Sequence, residues 1–120
     1  MTANYVDGFV VPVPKDKIDA YRKMAETAAK VWREYGAIDY VEAIADDVKS
    51  GQLTSFPQSV DLKDDEVVVF AWITYESREK RDAVLEKVMK DPRLAMDDPS
   101  TMPFDGKRMI FGGFKYLVQG

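Results

Sequence analysis

Four stretches of the chain run apolar or alternate as strands do, and two carry apolar residues at helical spacing. YVDGFVVPV, from Tyr5 to Val13, is rich in β-branched and aromatic residues and ends at prolines, which predicts a first strand. Pro14 and Asp16 then open a helix. From Ile18 the apolar positions Tyr21, Met24, Ala25, Ala28, Val31, Trp32 and Tyr35 recur every three or four residues, and Gly36 is the natural stop. AIDYVEAIA, from Ala37 to Ala45, alternates better than it rotates and predicts a second strand, with Ile38, Tyr40, Glu42 and Ile44 on one side. VVVFAWITY, from Val67 to Tyr75, is apolar almost throughout, as a strand covered on both faces must be. Ser77 is suited to cap the next helix, whose buried face is predicted from Ala83, Val84, Leu85, Val88 and Met89 and which ends at Asp91-Pro92. Arg93 to Pro103 reads as a connection, and Arg108 to Val118 as the last strand.

The predicted order is β-α-β-β-α-β, an α+β arrangement of the ferredoxin-like kind in one domain: a four-stranded antiparallel sheet with both helices on one face. The other face then needs cover, because a contiguous apolar patch of a few hundred Å² marks an interaction surface. A second copy packed sheet against sheet supplies it, so a homodimer through the sheet face is expected. The polar stretch from Asp46 to Glu66 is too long for a structureless loop, and Phe56 to Val60 predicts a short helical turn with Pro57 at its first position.

Composition narrows the chemistry. The 120 residues include neither cysteine nor histidine, which removes disulfides, thiolate nucleophiles, histidine triads and His-ligated haem or zinc. No cofactor and no tightly bound transition metal are expected, because carboxylates, carbonyls and tyrosines suit Mg²⁺ or Ca²⁺ better. Seventeen Lys+Arg against 21 Asp+Glu give a net charge of −4, the wrong sign for a nucleic-acid partner. A membrane span of about 18 apolar residues is missing, and MTANYVDG lacks the features of a signal peptide. The expected location is cytoplasmic.

The segments YVDGFVVPVPKDKIDAYRKMAE, KVWREYGAIDYVE, TSFPQSV, EVVVFAWITYESREKRDAV, KVMKDPRL and MPFDGKRMIFGGF together resemble the YbaA-like family of small uncharacterised bacterial proteins. The resemblance spans nearly the whole chain. It implies a dimeric α/β-barrel fold and no established activity; related barrels include cofactor-free monooxygenases, haem enzymes and ligand-binding proteins, so fold alone does not choose a reaction. The family often has histidine at the position of Tyr35 and cysteine at that of Ala43. Histidine or thiol chemistry is therefore absent from those positions here.

Within MPFDGKRMIFGGF, Gly112-Gly113 is followed by more strand-like residues and no helix, so a bulge or a close backbone approach is favoured over a phosphate loop. Arg108 reads as a strand-entry charge or, alternatively, a ligand contact. Alternation along the strands assigns Val6, Gly8 and Val10, with Val67, Val69, Ala71 and Ile73, to the helix side. Tyr5, Asp7, Phe9, Phe70, Trp72 and Thr74 then face the barrel, joined by Tyr40 and Glu42. Asp7, Glu42 and Tyr40 are the catalytic candidates, since a partly desolvated carboxylate shifts toward a useful pKa; the alternative is that both carboxylates are paired structurally. Trp72 and Phe70, with Arg108, are the ligand-binding candidates, set against their use as interface anchors. Three readings result: a small-molecule-binding dimer that could be a cofactor-independent enzyme, a non-catalytic ligand sensor, and a protein-interaction module using residues 46–66.

Overall fold

The computed structural model describes residues 2–95 and 101–120. Strand β1 (Tyr5–Pro14) leads through a 3-10 turn to helix α1 (Ile18–Tyr35). Strand β2 (Asp39–Ile44), the short helix α2 (Phe56–Ser59), strand β3 (Glu66–Tyr75), helix α3 (Arg78–Val88) and strand β4 (Ile110–Lys115) follow. The strands form one sheet in the order β2-β3-β1-β4, and every neighbouring pair is antiparallel. Of the predicted connection from Arg93 to Pro103, residues 96–100 lie outside the described residues; Pro92–Leu94 forms a 3-10 turn.

Local chemistry explains the boundaries. Gly36 ends α1 at φ +123°, a left-handed conformation that suits glycine, and donates its N–H to Arg33 O at 3.2 Å. Ser77 Oγ accepts the Lys80 N–H at 3.1 Å and caps α3. Ser55 caps α2 in the same way, and Pro57 occupies its first turn one place later than the sequence predicts. On α3 only Val84 and Val88 are buried; Met89 is 75% exposed and Ala83 is also exposed, so the apolar stripe is narrower than predicted.

Register settles which residues share a face. Tyr5, Asp7, Phe9, Val11 and Val13 of β1 stand opposite Tyr75, Ile73, Ala71, Val69 and Val67 of β3, and Tyr40, Glu42 and Ile44 of β2 pair with Ile73, Ala71 and Val69. This face carries the helices. Val31 of α1 and Val84 and Val88 of α3 pack on Tyr5, Ile73 and Tyr75, while Tyr21 and Ala25 of α1 pack on Val11, Val13 and Val69.

The third-strand assignment therefore holds, and those for β1 and β2 are reversed: Asp7, Tyr40 and Glu42 face the helices, and Val6, Gly8 and Val10 face away. The reason is that β1 is apolar on both sides toward its end, where Val10 is buried with Val60 and Val68 on the second face, so periodicity there is ambiguous. Asp7 misleads because its charge is answered from α3, out of reach of any local pattern.

The second face shows three cross-strand rows: Ala43, Phe70, Val10, Ile110; Val41, Trp72, Gly8, Gly112; and Asp39, Thr74, Val6, Phe114. The segment around α2 covers one end of it through Val60 and Leu62. Phe70, Ile110 and Phe114 remain 41%, 45% and 62% exposed.

Gly113 faces the helix side beside Asp7, and a Cβ there would collide with the Tyr5 hydroxyl and lie 2.8 Å from Arg81 Nη1. Close backbone approach, and not a bulge, accounts for this glycine, since the β1–β4 register runs unbroken past it. Gly113→Ala should cost about 1–3 kcal/mol through overpacking, read as a lowered urea midpoint; unchanged stability would mean that the cluster beneath it is loose.

Candidate functional site

Two inward-facing carboxylates, Asp7 and Glu42, are handled differently by the helices above them. Asp7 lies on the central strand β1 and receives Arg81 of α3, Nη1 to Oδ1, at 2.6 Å. Both side chains are largely buried. Arg81 also donates to Tyr5 Oη at 3.3 Å and to Asp82 at 2.7 Å, with its guanidinium carbon 5.0 Å from the centre of the Tyr5 ring. Burial raises the Asp7 pKa, and Arg81 opposes the rise. Trp32 Nε1 donates to Tyr75 Oη at 3.1 Å, and the buried Tyr75 phenol is pushed above its ordinary range first by burial and then by the Asp7 charge. Asp7 thus sits in a closed network that ties α3 to the sheet.

Glu42 is on the edge strand β2, beneath α1, and its partners are phenols. Tyr21 of α1 donates its hydroxyl to Oε1, and Tyr40, two residues earlier on β2, donates to Oε2 at 2.7 Å. Burial is the main cause of the raised pKa of both phenols, with the Glu42 carboxylate adding to it. They therefore remain protonated donors at neutral pH. The Tyr40 ring centre is 5.9 Å from that of Trp32, and Tyr21 meets Phe104 edge to face at 5.7 Å. No cation lies within ion-pair distance of Glu42 among the described residues.

This triad forms the floor of a cleft of about 310 Å³ between α1 and β2. Ile18, Ala25, Ala29, Ile44 and Val69 supply its apolar walls, and Arg22 and Glu26 also line it. An apolar cleft with a few convergent polar groups is the usual form of a small-molecule site. A second, larger cleft of about 550 Å³ lies between Tyr5, Ser77, Arg78, Gly113 and Lys115, beside the Asp7–Arg81 network.

The six candidate residues thus separate into four places. Glu42 and Tyr40 meet in the α1–β2 cleft, and Asp7 is on the same face in the Arg81 network. Trp72 and Phe70 are on the opposite face, 5.7 Å apart between ring centres, with Phe56 at 5.8 Å from Phe70. The expected common lining of Asp7, Tyr40, Glu42 and Trp72 is corrected by the register. Arg108 is engaged at the sheet's far end, donating to Glu66 Oε1 and Oε2 at 2.8 and 2.5 Å, to Asp105 at 2.9 Å, and to the carbonyls of Val60 and Asp61. It fastens the 46–66 segment to the start of β4. Sequence reasoning placed Tyr21 only in the helix core; the available signal was that a buried phenol needs a partner, and Tyr40-x-Glu42 offered one on the facing strand. Among the described residues no cluster of three or more acidic side chains is arranged to hold a metal ion.

The Arg108 network carries a pH signature. Hydrogen bonds from Arg108 lower the pKa of both Glu66 and Asp105, so their stabilisation is full above the ordinary carboxylate range and is lost as pH falls through the lowered values. Stability should fall between about pH 5 and pH 3. Arg108→Ala, which strands a buried Glu66, should cost about 3 kcal/mol at neutral pH and flatten that acid limb. Urea titrations across this range would show an unaltered limb if the network contributes nothing.

The sequence model of the family described as "Protein of unknown function (DUF1428)" matches residues 4–106. "Uncharacterized protein YbaA" of Escherichia coli K12 is 53% identical over 114 residues, covering 95% of this chain and 97% of the relative. The proteins of that name from Escherichia coli O157:H7 and Shigella flexneri match to the same extent. The chain belongs to the DUF1428 family, and the YbaA-like resemblance is supported. Among the described residues no helix is long and apolar enough to cross a membrane.

Proposed function

We propose that this DUF1428 protein is a small-molecule-binding homodimer. Each chain contributes one ferredoxin-like β-α-β-β-α-β domain, two sheets close on each other as a dimeric α/β barrel, and the ligand occupies the cleft between α1 and β2. The observation that carries the binding role is Glu42, held by two phenols in an apolar-walled cleft and without an ion-pair partner among the described residues. Both phenols are fixed as donors, so the triad is built to present an acceptor, and any proton transfer would fall to Glu42. Recognition is the role that this geometry favours over catalysis.

The dimer draws its support from the second sheet face, where Val6, Val41, Phe70, Trp72, Ile110 and Phe114 form a continuous apolar surface. Obligate interfaces resemble a domain core cut in half. Ligand cleft and interface then lie on opposite sides of one sheet.

A thermal-shift screen of small organic amines, alcohols and acids, with light scattering on the same samples, tests both parts. A hit should raise the melting temperature of the wild type and fail to do so for Ala29→Phe, which fills the cleft. The scattering mass should be twice that of the chain, and Trp72→Glu should reduce it to one. A hit that survives Ala29→Phe would move the site elsewhere, and a wild-type monomer at micromolar concentration would remove the dimer.

A further inference from the structure

Resting on that reading of the cleft, we propose that its ligand is an amine: a protonated ammonium group on a compact apolar body, with Glu42 as the counter-ion. The charges that line the cleft are Glu42, Glu26 and Arg22. Arg22 is engaged outward by Asp19 at 2.6 Å, and both are well exposed. Neither glutamate has an ion-pair partner among the described residues. The site is thus net negative with low-dielectric walls, the condition under which field is focused and one sign of charge is concentrated.

The donor count agrees with the charge. Each Glu42 oxygen accepts one phenolic O–H and keeps acceptor capacity for another donor. An ammonium offers three donors and the missing positive charge together. A neutral alcohol offers a single hydrogen bond and leaves the carboxylate uncompensated, while a carboxylic acid brings a second negative charge. Asp7, the other inward carboxylate, has its cation built in as Arg81 at 2.6 Å; at Glu42 the corresponding position is left to the ligand. With about 310 Å³ available, the cleft is at the small end of ligand sites and suits one ring with a short arm.

Calorimetric titration of the full chain with phenethylamine, phenethyl alcohol and phenylacetate near neutral pH separates the possibilities, because the three share a body and differ in charge. The amine should bind about tenfold or more tightly than the alcohol, the advantage expected of a hydrogen bond to a charged group, and the acid should bind least. In Glu42→Gln, which keeps the shape, the amine should lose that advantage while the alcohol is little changed. Alcohol or acid binding as tightly as the amine, with Ala29→Phe abolishing it, would overturn the amine assignment and leave the cleft as a ligand site. Amine preference persisting in Glu42→Gln would overturn Glu42 as counter-ion, and no binding by any of the three would overturn the cleft reading as well. If Glu42→Gln does not fold, the wild-type series decides.

Discussion

A carboxylate placed between a sheet and its helices must be given donors or a cation, and this demand, met twice in two different ways, organises the helix layer. Asp7 on β1 takes Arg81 from α3; Glu42 on β2 takes Tyr21 from α1 and Tyr40 from its own strand. The first solution needs space over β4, which Gly113 provides by having no side chain where Tyr5 and Arg81 cross it. The second leaves a cleft open, because phenols supply donors without supplying charge. One helix is therefore locked to the sheet by a closed ionic network, and the other overhangs a site with unused electrostatic capacity.

The same sheet presents a different problem on its other side. β1 and β3 are central strands, and the two long helices, α1 and α3, cover only one of their faces. The segment between β2 and β3 closes one end of the bare face with Val60 and Leu62, and Arg108 fastens that segment by its backbone carbonyls and by Glu66. The aromatic remainder, Phe70, Trp72 and Phe114, is what a second sheet would bury. In the proposed reading Trp72 and Phe70 serve assembly, whereas Glu42 and Tyr40 serve recognition.

Much of the architecture could be read from the chain, and the failures have a common cause. The α1 stripe, its stop at Gly36, the Ser77 cap and the apolar β3 are local signals, and the structure follows them. The orientation of β1 and β2 is not local. In β1, Phe9, Val11 and Val13 carry one face while Val10 and Pro12 are buried on the other, so alternation alone favours neither. Asp7, Tyr40 and Glu42 look like solvent- or cavity-facing groups until Arg81, 74 residues away, and Tyr21, 21 residues away, are brought over them. The pairing of a buried polar group with its partner is a tertiary fact, and Arg108, read as a strand-entry charge, gains its structural role in the same way from Glu66, 42 residues distant.

The central claim is that Asp7 is neutralised for the fold while Glu42 is left uncompensated for a ligand, and the contrast is measurable without any ligand. Urea denaturation of Asp7→Asn and Glu42→Gln, compared with the wild type, tests it most directly. Removing the Asp7 charge leaves the largely buried Arg81 with only the exposed Asp82 as an ionic partner and should cost about 3 kcal/mol. Replacing Glu42 by Gln keeps an acceptor for one phenol, turns an amide N–H toward the other and removes a charge without an ion-pair partner among the described residues, so it should cost about 1–2 kcal/mol, less than Asp7→Asn. A loss at Glu42→Gln equal to or larger than that at Asp7→Asn would mean that Glu42 is as structural as Asp7, and would contradict the account.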